Sequence, residues 1–151
     1  TDIVFVTVPY AGHRETLESV RDQLAGKIVV DVVAPVTVAK GVATPIAVPE
    51  GSAALEAQAV LPNSTVVAAF QTISAQNLLV PDMPIDSDAI VCANGSGARE
   101  TVMNLAEQIA GVRAVNGGSL HNAGHLERLT ALLMNINRLY KAHTAIRIVG
   151  I

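Results

Sequence analysis

His121 and His125 stand four residues apart, a spacing that places both imidazoles on one face of a helix and could chelate zinc. No third ligand accompanies them at a telling distance and the H-E-x-x-H order is absent, so solvated polar roles are expected. The stretch Asn94-Gly95-Ser96-Gly97 follows an apolar run and opens a helical pattern. Free N–H groups there could hold an anion, but a tight turn plus an N-cap is the more ordinary reading. Asp31 interrupts "VVDVV". A carboxylate in an apolar strand is costly unless paired, so Asp31 is expected to be hydrogen-bonded, with anchoring of the loop after Pro35 as the functional alternative. His13 follows "VPYAG" and reads as part of a helix's first turn, with a substrate contact as the functional alternative. Glu127 and Arg128 sit beside a leucine stripe and read as an intrahelical or cross-helix polar pair. Cys92, between Val91 and Ala93, reads as inert core. No acid–base dyad or metal-ligand set emerges, so no catalytic residue and no metal ligand is assigned.

Composition narrows the classes. At 151 residues the chain suits one domain, or one domain with a small appendage. Half the residues are hydrophobic but only 3% are aromatic, a bias that favours helices packed on a parallel sheet over a β-sandwich. The net charge of −3 and the lack of a basic tract argue against nucleic acid and acidic membrane surfaces. No apolar run approaches the ~20 residues that cross a bilayer. The apolar start lacks a positive leader, so no signal peptide is expected. One cysteine precludes an internal disulfide and suits a reducing cytoplasm.

The elements that must position these residues alternate. Residues 2–9 form an expected strand, apolar on both faces. Leu17, Val20 and Leu24 then mark an amphipathic helix that Gly26 stops. Residues 27–35 repeat the buried-strand pattern, and 36–50, with Pro45 and Pro49, reads as a loop. Ser52 is placed as the cap of a helix over 53–61, followed by a strand over 65–72. The segment 80–84, "VPDMP", reads as a hinge or boundary. Beyond it come a strand (88–94), a helix that Ser96 caps and that runs to Ile109, a short strand and turn (112–118), a helix over 120–140, and a closing strand, "AIRIVGI". Leu126, Leu129, Leu133, Ile136 and Tyr140 make the stripe of the long helix, which Leu132 and Leu139 widen enough to serve both packing and a dimer contact. The first half predicts parallel strands joined by right-handed crossovers, half of a doubly wound sheet.

"DIVFVTVPYAGHRETLESV", "GKIVVDVVAP", "EGSAALEAQAVLP", "VVAAFQTISAQNL", "NAGHLERLTALLMNINRLY" and "AIRIVGI" come in the order and spacing of the F420-dependent NADP reductases, a family this chain resembles over its whole length. The resemblance matches the back two-thirds of a family member. It implies hydride transfer between NADPH and the deazaflavin coenzyme F420. It also implies a partial doubly wound, Rossmann-like parallel sheet over 1–80, followed by a small C-terminal α/β domain with a long helix over 81–151. Carried across, Val8, Pro9 and Tyr10 match the turn beside the NADP ribose and nicotinamide, and Ala34 and Pro35 match the next strand end. Thr72, Ile73, Ser74 and Ala75 match the segment against the nicotinamide and deazaflavin rings, and Ile146 a residue packing on the deazaflavin. Gln71 stands where the family commonly has His, and Gly124 where it commonly has Arg.

The expected protein is thus a truncated, cytoplasmic, homodimeric oxidoreductase that uses NADP and coenzyme F420 as small-molecule partners, without nucleic acid or membrane. A G-x-G-x-x-G loop is absent, so weak NADP binding is expected of these residues alone. The alternatives are a non-catalytic dimeric scaffold or ligand-binding module, and a reductase with another acceptor. The first strand resembles the fourth of a doubly wound sheet, so Ile3–Val8 should present an open hydrophobic edge, covered by a second copy or a partner helix.

Overall fold

The computed structural model describes residues 2–80 and 83–151. Its frame is a five-stranded sheet in the order β1-β2-β5-β6-β7, built from β1 (Ile3–Val6), β2 (Ile28–Asp31), β5 (Thr65–Ala68), β6 (Ser87–Ala93) and β7 (Val112–Asn116). β1, β2 and β5 are parallel in register, with Val4, Val29 and Val66 aligned across them. Because side chains alternate across a strand, the doublets Val29-Val30 and Val66-Val67 each send one residue to either face. All four are essentially inaccessible. This is why these strands are continuously apolar rather than alternating.

Two helices cover one face. Helix α1 (His13–Leu24) contributes Leu17 and Leu24, and α2 (Ala53–Val60) contributes Ala53, Ala54 and Ala57. The alanines let α2 lie close to the sheet. Ser52 caps it as expected, its hydroxyl accepting from the Leu55 N–H at 3.0 Å. On the opposite face Val30, Val67 and Val91 meet Val102 of α4 (Ser96–Ala106). The cap of α4 differs from expectation: Ser96 is its first residue, Gly95 occupies the N-cap, and no side chain caps it.

Three further differences shape the site. Residues 36–50 hold a hairpin, β3 (Val36–Ala39) and β4 (Val42–Pro45), within the expected loop. Lys40 and Gly41 both have positive φ (50° and 77°), the turn that two-residue hairpins favour. The hairpin docks on α5 (Ala123–Tyr140), whose Asn135 side chain bonds both the N–H and the C=O of Ala43. Second, β6 runs antiparallel to β5, then pairs parallel with β7. Among the described residues the chain between β5 and β6 carries only the single-turn α3 (Ala75–Leu78), and it reverses direction instead of crossing over. Third, the expected final strand is not one. Residues 145–151 run without regular structure along the start of β6, tied by a side chain. Buried Asp88 accepts from the Ile148 N–H (2.6 Å) and twice from Arg113 (2.9 and 2.7 Å), while its own N–H donates to the Ile146 carbonyl (2.8 Å). A carboxylate occupies the positions a ladder would need.

β1 pairs only with β2 among the described residues, so it forms the open edge that its sequence suggested, with Phe5 47% exposed. Pro81 and Asp82, in the expected boundary at 80–84, lie outside the described residues. β6 and β7, beyond it, extend the same sheet. In α5 the stripe is only partly used: Leu126 and Leu133 are buried, whereas Leu132, Leu139 and Tyr140 are exposed.

Gly117 marks the tightest crossing. A Cβ there would lie 2.5 Å from the Cys92 sulfur and 2.7 Å from Ile90. Gly117→Ala is therefore expected to lower stability by about 1–3 kcal/mol, measured by urea denaturation. An unchanged midpoint would show that β6 and the turn after β7 can separate freely.

Candidate functional site

The carboxyl ends of β1, β2 and β5 open onto a cavity of about 600 Å³. Phe5 and Thr7 enter it from β1, and Val32 and Ala34 from the exit of β2. Phe70, Gln71, Ile73 and Ala75 come from the segment between β5 and α3, with Leu105 and Ile109 closing the far side. The lining is mostly hydrocarbon, and the Phe5 and Phe70 rings stand 5.9 Å apart. Phe70 has φ +73°, a strained setting for a bulky residue and one that tends to mark functional turns. A second cavity of about 380 Å³ lies behind the same wall. It shares Gln71, Ile73, Ala75 and Thr130 with the first and adds Thr72, Ser74 and Thr144.

The residues proposed from sequence thus fall into groups. Ala34 and the run Gln71, Thr72, Ile73, Ser74 and Ala75 converge on this double cleft. Pro35 turns to a separate cavity of about 360 Å³, whose wall includes Pro45, Gly51, Gly124 and Arg128. Val8 and Tyr10 pack on the core under α1, and Pro9 precedes the 3₁₀ turn at Tyr10–Gly12. Ile146 is fixed through its backbone beside the start of β6. Gly124 has no room for a side chain, because a Cβ would meet the Gly51 carbonyl at 2.8 Å. Arg128, one turn later, instead sets its guanidinium over that position.

Beneath the cleft lies a buried polar cluster that the sequence showed only in pieces. His13, wholly buried, directs Nε2 at Asp31 (2.8 Å) and Nδ1 at Glu56 (3.0 Å). Both nitrogens face carboxylates, so both must donate, and only the imidazolium can do that. Burial opposes this charge, but the bonds and charges of Asp31 and Glu56 outweigh it and raise the His13 pKa. Arg14 joins from the rim, bridging Glu50 and Glu56. Glu127 reaches over from α5 and accepts from the N–H groups of Ala53 (2.9 Å) and Ala54 (3.2 Å), at the start of α2. Burial pushes its carboxyl up to about 7 in spite of these bonds. Asp31 bears out the expectation of a hydrogen-bonded carboxylate, and Glu127 that of a cross-helix contact. Arg128 instead makes a long contact within the helix, 3.4 Å to His125. Glu56 was missed. The burial of His13 was legible, since it shares the stripe of Leu17 and Leu24 at i, i+4 and i+11.

The cluster is wired to the cleft. The other oxygen of Asp31 accepts from the Val33 N–H (2.9 Å), and its main-chain carbonyl accepts from Gln71 Nε2 (2.9 Å). The Thr130 hydroxyl donates to the Gln71 carbonyl at 2.9 Å. Hence α1, α2 and α5 all bear on the wall at 71–75.

This architecture has relatives. The F420-dependent NADP reductase of Methanocaldococcus jannaschii is 38% identical over 99% of the chain and 69% of its own length. This chain belongs to the F420-dependent NADP reductase family. The same-named protein of Methanothermobacter thermautotrophicus is 40% identical over 90% of the chain and 60% of its length. The family model for coenzyme F420-dependent NADP oxidoreductases matches residues 1–35. A crystal structure from Arthrobacter sp. FB24, described as a candidate F420-dependent NADP reductase, superposes with a TM-score of 0.84. It covers 95% of this chain and 66% of that one at 22% identity, and so attests the fold. The chain spans about two-thirds of the length of these relatives.

His13 and Glu127 both bind protons more tightly folded than unfolded. Glu127's contribution is complete below about 4.5 and is lost as pH rises through about 7. That of His13 is complete below 6.5 and is lost as pH rises through its higher folded value. Asp88, held down at about 2 by Arg113, is lost only in strong acid and leaves this window untouched. Urea midpoints are therefore expected to fall between about pH 5 and about pH 7 as Glu127 loses its advantage, and to go on falling as His13 deprotonates. Glu127→Gln should flatten that slope, and an equal slope in the variant would remove Glu127 from its cause.

Proposed function

We propose that this protein serves hydride transfer between NADPH and coenzyme F420, with the two ring systems meeting in the double cleft. The reaction is NADPH plus oxidised F420 plus a proton giving NADP⁺ and reduced F420. The observation that carries the reading is the convergence of Ala34, Gln71, Ile73 and Ala75 on an apolar cavity beyond three parallel strand ends, in a chain 38–40% identical to F420-dependent NADP reductases.

The coenzymes themselves supply the hydride donor and acceptor. What the chain supplies is position and dryness. Phe5, Val32, Phe70 and Ile73 exclude water, and among the described residues the cavity lining offers no titratable side chain. That suits a transfer whose rate depends on ring distance and orientation rather than on an acid or base. Val8, Pro9 and Tyr10 are proposed to flank the nicotinamide ribose, Pro35 to border the same path, and Ile146 to pack on the deazaflavin. The part before 80 would serve NADP and the part from 81 the deazaflavin. Exposed Leu132 and Leu139 on α5, and the open edge of β1, are proposed as contacts in a homodimer. The free buried thiol of Cys92 suits a reducing cytoplasm, and no helix among the described residues is long and apolar enough to cross a membrane.

With the protein present, NADPH is expected to bleach the deazaflavin absorbance of F420. Ile73→Ala, which hollows the wall between the two cavities, should slow the hydride step about ten- to a hundred-fold in stopped-flow while leaving the fold intact. If flavins or keto acids consume NADPH and F420 does not, the acceptor is a different one.

A further inference from the structure

We infer that Asp88 is a positioning residue, strapping the segment 144–148 to the body of the protein so that Ile146 is held in one place. Asp88 is wholly buried at the start of β6, where a carboxylate is costly unless its lone pairs are matched. Only part of that match comes from the sheet. Arg113, its register partner on β7, donates through Nε and Nη2 (2.9 and 2.7 Å). The rest comes from the segment itself, through the Ile148 N–H (2.6 Å) and Arg147 Nη1 (3.1 Å). Arg113 adds a bond of its own, donating to the Ile148 carbonyl at 2.6 Å. Asp88 therefore needs the segment as much as the segment needs Asp88, and these bonds form or break together.

The fastening differs from a strand ladder. A ladder spreads its bonds over successive backbone groups. Here one residue gathers them, because the Asp88 N–H also donates to the Ile146 carbonyl at 2.8 Å. At the other end the N–H and the hydroxyl of Thr144 both donate to Asn137 Oδ1 on α5, each at 2.6 Å. Ile146 thus lies between two clamps, one two residues before it and one two residues after. Its backbone cannot shift without breaking a bond to one of them. Thr144 borders the second cavity. Ile85 and Ala89, on either side of Asp88 in the chain, belong to one apolar cluster with Ile73 of the wall between the cavities. Strap and wall are therefore set against the same stretch of chain. The inference rests on the coenzyme reading, in which Ile146 packs on the deazaflavin. Asp88 acts through the strap, by fixing that contact before the ring arrives.

The test follows deuterium uptake over 144–151 together with the Kd for coenzyme F420, read from its fluorescence. Arg147→Ala cuts the strap's side-chain tie and leaves the Asp88–Arg113 pair intact. It is expected to speed exchange of the Ile148 amide about ten-fold and to weaken F420 binding by a similar factor, with exchange in β2 and β5 unchanged. Arg147→Lys keeps a charge within reach of Asp86 and Asp88 and should regain part of both effects. Asp88→Asn, which can accept through only one side-chain atom, should exceed Arg147→Ala in both readouts. Faster exchange with an unchanged Kd would overturn the inference, since the strap would then be fastened for stability alone. So would unchanged exchange, or a loss of affinity accompanied by faster exchange in β2 and β5. Each of these leaves the coenzyme reading standing. If the wild-type protein binds no F420, that reading falls and this inference with it. The Arg147 side chain is 45% exposed, so its variants decide the matter even if Asp88→Asn does not fold.

Discussion

The structure depends on a buried imidazolium held between two carboxylates. His13 comes from α1, Asp31 from β2 and Glu56 from α2, and each is inaccessible or nearly so. Three charges removed from water cost folding free energy unless each is compensated, and truncating any one leaves at least one of the others short of a buried partner. The requirement is geometric as well as energetic. It sets the packing of two helices against the exit of a strand, and that exit forms the mouth of the cleft. Glu127 adds α5 to the same knot by closing the amino end of α2.

Around this knot, apolar packing does the rest. The valine doublets of β2 and β5 feed two cores at once, so the sheet cannot slide by one residue without exchanging its faces. Small residues decide where backbones approach: Ala53, Ala54 and Ala57 under α2, Gly117 against Cys92, and Gly124 against Gly51. The cleft is the space left over where this packing stops, beyond the parallel strand ends. On its wall the Gln71 amide is oriented by the sheet itself, through the carbonyl of Asp31.

Much of this was readable from the chain. The buried strands, the stripe of α1, the cap at Ser52 and the parallel order of the first three strands all follow from local apolar patterning. The hairpin at 36–45 was hidden by its prolines, although Lys40-Gly41 between alternating residues was its signal. The final segment misled because "AIRIVGI" has the composition of a strand, yet Asp88 takes up its backbone groups. The reversal at β6 had no local signature, because strand direction is set by which edge is open and not by the strand's own residues.

Most elements, their buried faces and the family were legible in the chain, since these depend on periodicity and on motifs read in order. The chain also identified Asp31 as a charge in need of a partner. The partner of that charge, and the bond by which Gln71 ties the cleft wall to the sheet, exist only in the folded chain. His13 and Glu56 lie 18 and 25 residues from Asp31 along the chain, and Gln71 lies 40. Hydrogen bonds act over about 3 Å, so groups this far apart in sequence acquire their chemistry only when the sheet and helices bring them together.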